Sequence, residues 1–347
     1  MMSSDRSPAA ASRSVGAGGK DGNPTPGRLS VVLAARDVGR FLPSTLGSLG
    51  AQSLPAFELV AVDDGSQDET GALLAAHAAG TSAARPVRVL RSEGVGLAAA
   101  RNRAVAAAGG DLLAILDGDD VLAPTLLERA RAALLDRAEL DLVFPLCEHV
   151  DEWGGRLGVR SPRVPPGRLT PALALVRPPI HTDSGVVLRR AALAAAGGFD
   201  EGLTGCIGLD AWHRVLSLRP GNAHCIPEPL VLYRRRRGQI SGSAARMERN
   251  LGAFLLGRER AGAPLPPSLR RRVVAAHRLY WASLLDAEGE HRAARRETLR
   301  AWREDPAGLL RMPHAYGRAA ISLASLLPRP LHDGLRAAAL RARSRWR

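Results

Sequence analysis

Four short apolar runs alternate with three stretches of helical spacing between Leu29 and Asp120, and this alternation restricts the possible folds more than any other feature of the chain. LSVVLAAR, from Leu29, reads as a buried strand, and Phe41 to Ala51 repeats apolar residues at helical intervals. ELVAVDDGS from Glu58 is a second strand, followed by a helix from Glu69 that stops at Gly80. VRVLRS from Val87 is a third strand, GLAAARNRAVAAAGG from Gly96 another helix, and DLLAILDGDD from Asp111 a fourth strand. Strands and helices at this interval predict an α/β fold built on a mostly parallel, Rossmann-like sheet, with ligands beyond the strand carboxyl ends. Polar residues stand at those ends: Arg36 and Asp37, then Asp63 and Asp64, then Asp117, Asp119 and Asp120.

A helix is expected over 126–137, then a strand in LDLVFPLCEHV. WGGRLGVRSPRVPPGR reads as a loop region, and HTDSGVVLRRAALAAAGGFDE as a strand, a helix and a glycine turn. After Ser243 the pattern changes to Arg/Ala/Leu helices. HRLYWASLLDAEGE and HRAARRETLRAWREDP are expected to form an antiparallel pair joined near Glu290, with Trp281, Trp302 and Trp346 serving helix packing. The predicted organisation is a disordered tail over 1–28, an α/β domain over 29–245 and an arginine-rich helical region over 246–347.

The net charge of +14 is unevenly spread: from Arg234 to Arg347 there are 25 arginines and nine acidic residues, a surplus of +16. Lys20 is the only lysine. The surplus suits peripheral contact with anionic lipid, and fits equally a general preference for arginine over lysine. Nucleic acid is not expected as a partner, because aromatic residues make up only 4% of the chain and no recognition motif accompanies the charge. The three cysteines show no CxxC spacing, and the leader lacks an apolar core, so a cytoplasmic protein is predicted. No run reaches the ~18–20 apolar residues of a membrane span; the stretch from Ala319 is broken by prolines.

DDGS at Asp63 to Ser66 is either a ligand-binding turn or a helix N-cap by Ser66 or Asp68. Three carboxylates within Asp117 to Asp120 repel one another, which a hard divalent cation bound through oxygen would offset; a solvated turn is the alternative. Gly94, Gly96 and Ala99 also match a GxGxxA dinucleotide fingerprint, but in the third βα unit rather than the first.

In order along the chain, SVVLAARD, FLPSTLGSLGAQ, FELVAVDDGSQDET, GLAAARNRAVAAAGGDLLAILDGDDVLAP, VVLRRAALAAAGGFDE and PLVLYRRRRGQIS resemble the family 2 glycosyltransferases with the GT-A fold, over about residues 29–243. The resemblance implies a nucleotide-sugar site containing Ala34, Asp63, Asp64, Arg101, Asp117 and Arg236, with Asp119 holding Mg²⁺ or Mn²⁺. It implies single-sugar transfer with inversion, from a donor taken here as UDP-linked, to a glycan or lipid-linked acceptor in cell-envelope polysaccharide biosynthesis. Two departures stand out. The family's ED dyad, which supplies the general base, falls on Ile207 and Gly208, leaving Asp210 as the carboxylate available there, with an N-cap as its other reading and His213 as the alternative base. In YRRRRGQIS, Arg236 stands where the family commonly has histidine, and it would bind diphosphate or belong to a solvated arginine run. His181 to Ser184 fall where sugar or acceptor contacts are often found. The degenerate dyad leaves a non-catalytic nucleotide-sugar binder as the rival reading.

Overall fold

Every residue of β1 (Leu29–Ala35) is buried in the computed structural model, which describes residues 27–311 except 237, 240 and 241, together with residue 334. A strand of this kind must be covered on both faces. Its alternate residues point to opposite sides: Val32 and Ala34 join one core cluster with Val60 and Val62, whereas Val31 and Leu33 join another with Leu59 and Ala61. β2 (Glu58–Asp64) and β4 (Leu112–Asp117) lie parallel to β1 on either side, and β3 (Val87–Ser92) lies parallel to β2. The crossovers are α1 (Leu42–Gly50), α2 (Thr70–Ala79) and α3 (Leu97–Ala107), as the alternation predicts. Register then gathers the polar strand ends: Ala34 stands opposite Asp117, Ala35 opposite Asp63, and Asp64 opposite Ser92.

Beyond β4 the sheet becomes mixed. β8 (Val187–Arg189) is antiparallel to both β4 and β6 (Leu142–Val150), and β9 (Ala223–Arg234) runs parallel to β6. The two-residue β5 (Val121–Leu122) closes the far edge on β9. The stretch 153–168, expected as loop, contains β7 (Arg156–Arg160), which pairs with β6; all five of its residues are exposed, and the Leu157/Val159 alternation is too short to stand out among the surrounding Gly, Pro and Arg residues. Pro227 and Pro229 and two register shifts against β6 likewise hide β9 from periodicity.

α4 (Leu126–Asp136) joins α1 on the second cluster, while α3, α5 (Pro171–Val176), α6 (Arg190–Ala195) and α7 (Ile207–Leu216) cover the first. α8 (Ala244–Arg260) adds Leu251 and Phe254 to that first cluster, and α9 (Pro267–Ala287) adds Val273 and Trp281. α10 (His291–Glu304) folds back on α9 after residues 288–290, where Arg278 binds Glu297 across the pair, and α11 (Pro306–Leu310) follows. Trp302 packs on a small separate cluster around Leu279 and Leu309. Residues 1–26 of the expected tail over 1–28, the stretch from Ala319 and Trp346 lie outside the described residues, whereas the Gly27 amide donates to Asp111 Oδ2 at 2.9 Å. Among the described residues, no helix is long and apolar enough to cross a membrane.

Candidate active site

A cleft of about 520 Å³ opens beyond the carboxyl ends of β1, β2 and β4, within the ~300–1,000 Å³ usual for small-molecule sites. Ala34, Asp64, Arg101, Asp117, Asp119 and Arg236 all line it, and Asp183, Trp212 and Tyr233 form part of the opposite wall. Asp63 and Asp210 are not among its wall residues. Two non-glycine residues with left-handed backbone flank it, Asp37 at φ 50° and Cys206 at φ 57°, and strained conformations of this kind persist where surrounding structure enforces them.

Asp64 ends β2 and clamps the start of α3. Its Oδ1 accepts hydrogen bonds from the Ser92 hydroxyl at 2.7 Å and the Val95 amide at 2.8 Å, and its Oδ2 from the Gly96 amide at 2.9 Å. Burial alone would raise this carboxyl, but those bonds and the Arg36 charge bring it below the ordinary carboxylate value. The amides that a dinucleotide fingerprint would turn to a phosphate are thus engaged by Asp64. Asp63 faces elsewhere: its Oδ1 accepts the Ser66 amide at 3.0 Å, so it shapes the turn.

Arg101 is 1% exposed, and its side chain is the hub of the cleft floor. Nη2 donates to Asp117 Oδ1 and Nη1 to Asp183 Oδ2, each at 2.6 Å, while the guanidinium carbon lies 5.4 Å from the centre of the Phe199 ring. Burial works against the Arg101 charge, yet the two carboxylates hold it firmly protonated. Burial raises Asp117 above its ordinary value, opposed by Arg101 and reinforced by Asp183 and Asp119.

The acidic turn after β4 is held from β9. Arg236 Nε donates to Asp119 Oδ2 at 2.6 Å, and Arg234 donates its Nε–H to the Asp119 carbonyl at 2.9 Å. Both guanidinium groups stack near the Phe41 ring, at 5.2 Å for Arg234 and 5.8 Å for Arg236. The arginine run is therefore not a solvated one at these two positions. Asp120 is 1% exposed and receives the Arg234 amide at 2.9 Å and the Thr182 hydroxyl at 2.7 Å. Burial first, then Asp119 and Asp117, push its carboxyl well above the ordinary range. A carboxyl raised by folding contributes stability that is lost as pH rises through its folded value. Asp120→Asn is expected to flatten the dependence of the urea midpoint on pH above the ordinary carboxylate range, where the parent loses stability with rising pH.

At the far wall, α7 begins against Asp183. The Asp183 Oδ1 accepts the Trp212 indole N–H at 2.8 Å, and a Cβ added at Gly208 would fall 1.7 Å from that same oxygen. The carboxylate of Asp183 therefore fills the volume that a side chain at position 208 would need. Asp210, one turn along, points away into an ion pair, with Arg214 Nε donating to Oδ2 at 2.9 Å. His213 is buried too, its Nδ1 3.3 Å from the Pro171 carbonyl, and burial lowers its pKa. The expectation that Asp210 faces the reaction is thus corrected in placement: the carboxylate at the α7 terminus that lines the cleft comes from the segment before β8.

Residues 30–194 match the family described as Glycosyl transferase family 2. The match covers just under half of the chain. It is 32% identical over 225 residues to the O-antigen biosynthesis protein RfbC of Myxococcus xanthus, covering 65% of this chain and 16% of that protein. It is 28% identical over 115 residues to the uncharacterized glycosyltransferase EpsJ of Bacillus subtilis, covering 33% of this chain and 32% of the relative. The chain spans well under half the length of either relative. Among solved structures, S. aureus TarS 1–349 superposes with a TM-score of 0.55 at 17% identity over 92% of both chains. The mannosyltransferase PcManGT from Pyrobaculum calidifontis, in complex with GDP-Man and Mn²⁺, gives 0.54 at 20% identity over 90% of this chain and 86% of that one. These likenesses bear on the fold, which is the GT-A arrangement of a mixed α/β sheet with helices on both faces.

The structure places Asp64, Asp117 and Asp119 on the wall of one cleft, because each is positioned by the strand that precedes it. Asp183 and Arg234 are the residues whose importance the motifs understate. Asp183 lies in HTDSG, flagged only as a contact region, and its partners Arg101 and Trp212 are 82 and 29 residues away. No local spacing reports such a junction.

Proposed function

We propose that this protein moves a single sugar from a UDP-linked nucleotide sugar to a hydroxyl of a glycan or lipid-linked acceptor, with inversion at the anomeric carbon. The observation that supports it is the convergence of Asp64, Arg101, Asp117, Asp119 and Arg236 on one cleft at the carboxyl ends of parallel strands. In this reading Ala34, Asp64 and Asp117 receive the nucleoside, with Arg101 orienting Asp117 and Asp63 shaping the turn behind them. Arg236 exchanges Asp119 for the donor diphosphate, whose oxygens suit a guanidinium fork.

The donor set fits a hard divalent cation: clustered carboxylate oxygens, with Asp117 and Asp120 raised by burial first and then by neighbouring carboxylates. Asp119 would hold it, since both Asp120 oxygens are engaged by Thr182 and Arg234. Bound there, Mg²⁺ or Mn²⁺ supplies positive charge beside the diphosphate leaving group. Asp183 is the general base: the acceptor oxygen bonds to the anomeric carbon, the bond from that carbon to the diphosphate oxygen breaks, and the acceptor proton passes to the Asp183 carboxylate. Trp212 and Arg101 hold that carboxylate in one orientation.

Calorimetric titration tests the nucleotide site. UDP is expected to bind the parent more tightly than GDP and in a manner dependent on Mg²⁺ or Mn²⁺, and Asp119→Ala is expected to abolish the metal dependence. Absence of binding by either nucleotide would leave the family likeness describing fold alone.

The transferase domain is proposed to span 29–245, with the arginine-rich helices of 246–347 resting on the anionic inner face of the plasma membrane. The +16 surplus from Arg234 onward motivates this placement. Cosedimentation with anionic vesicles is expected at low salt and should disappear as salt screens the charges; sedimentation unchanged by such vesicles at low salt rejects it.

A further inference from the structure

We propose that Cys147, His149 and His181 form a metal site of zinc class beside the cleft, which His181 lines, on donors different from the Asp119 carboxylate. Cys147 and His149 are alternate residues of β6 and so share one face of the sheet. His181 reaches them from the segment between α5 and β8. One donor atom from each residue, a thiol sulfur and two imidazole nitrogens, lies within 4.8 Å of the other two. His149 Nε2 and His181 Nδ1 stand 3.1 Å apart. Two nitrogens bound tetrahedrally to zinc at ~2.0–2.1 Å are ~3.3 Å apart, so admitting an ion needs an opening of only a few tenths of an ångström.

Donor chemistry selects the ion. Sulfur and imidazole favour Zn²⁺ over Mg²⁺ or Mn²⁺, whose oxygen donors lie instead in the acidic turn. Packing prepares the ligands: the Tyr233 ring meets the His149 ring edge-on at 5.0 Å between centroids, and Cys147 is held on β6 by its amide bond to the Ser161 hydroxyl at 2.9 Å. Three protein ligands are also the number found where zinc keeps a fourth position for water or a ligand. His181 directly precedes Thr182, which binds Asp120, and Asp183, which binds Arg101. A bound ion would therefore tie β6 to the segment that carries two residues of the cleft network.

The test uses the full-length protein, stripped with chelator, exchanged into buffer containing excess Mg²⁺ and titrated with Zn²⁺. The expected result is one equivalent of zinc retained per chain through gel filtration. Cobalt in place of zinc should give a thiolate-to-metal charge-transfer band and tetrahedral visible bands. Cys147→Ser should remove the charge-transfer band. His181 is exposed, so His181→Ala keeps the fold and should weaken zinc at least ~10-fold, since loss even of a ligand's supporting partner costs ~10–100-fold. Asp119→Ala should leave zinc affinity unchanged. Failure to retain zinc, a cobalt spectrum without the thiolate band, affinity insensitive to His181→Ala, or loss of zinc in Asp119→Ala would each overturn the proposal.

Discussion

Asp183→Asn is expected to lower the rate of UDP release from a UDP-sugar by about 10²–10⁴-fold, the range a positioned general base contributes, while UDP affinity stays close to that of the parent. The substitution is nearly isosteric. The Asn carbonyl can accept from either the Trp212 indole N–H or the Arg101 guanidinium while its NH2 meets the other donor, so the variant loses its proton acceptor and some stability, as Asp210→Asn does. The kinetic constants separate chemistry from positioning: kcat should fall while KM stays near the parent value. Asp210→Asn is the control. Its carboxylate pairs with Arg214 outside the cleft, so the expected effect is lost stability with turnover retained. If Asp183→Asn turns over like the parent, Asp183 is not the base; if neither the parent nor the variants release UDP while UDP still binds, the protein is a nucleotide-sugar binder.

Arg101→Met should cost about 3–5 kcal/mol of stability at neutral pH, the usual consequence of removing one partner from a buried ionic cluster. Arg101 is 1% exposed and neutralises both Asp117 and Asp183; without it, two carboxylates face each other across the cleft floor. The sign with pH follows. Burial already raises Asp117, and removing Arg101 takes away the charge that opposes that rise, so the Asp117 carboxyl rises further and the deficit shrinks as pH falls. Urea unfolding of parent and variant at several pH values measures it. A deficit that is small at neutral pH, or constant with pH, would mean that the cluster is hydrated and weakly coupled. UDP affinity should fall in the same variant, because Asp117 loses the bond that orients it.

The parallel half of the fold, from β1 to β4, was legible because each strand and crossover helix is a local pattern, and parallel pairing at the observed register follows once β1 is buried on both faces. The positions of Asp64, Asp117 and Asp119 followed from the same logic, since a residue that ends a parallel strand must lie at the binding edge. Other features carried no local signal. β7 offers only the two-residue alternation of Leu157 and Val159 within a Gly/Pro/Arg-rich stretch, and β9 is interrupted by prolines, so neither has a run long enough to be recognised as a strand.

The sequence by itself determined the α/β class, the helical C-terminal region and which strand ends carry carboxylates. Only the tertiary structure decided which carboxylate stands at the α7 terminus. Asp210 lies nearer in sequence to the degenerate dyad, but helix geometry turns it one way, toward Arg214, while Gly208 leaves a space that Asp183 enters from another segment. The same holds for Arg234 and Arg236, whose roles depend on Phe41 and the acidic turn, and for His181 beside Cys147 and His149. In each case the decisive contact joins segments far apart in the chain. Its partner is chosen by volume, charge and chain crossing, which local periodicity and spacing do not encode.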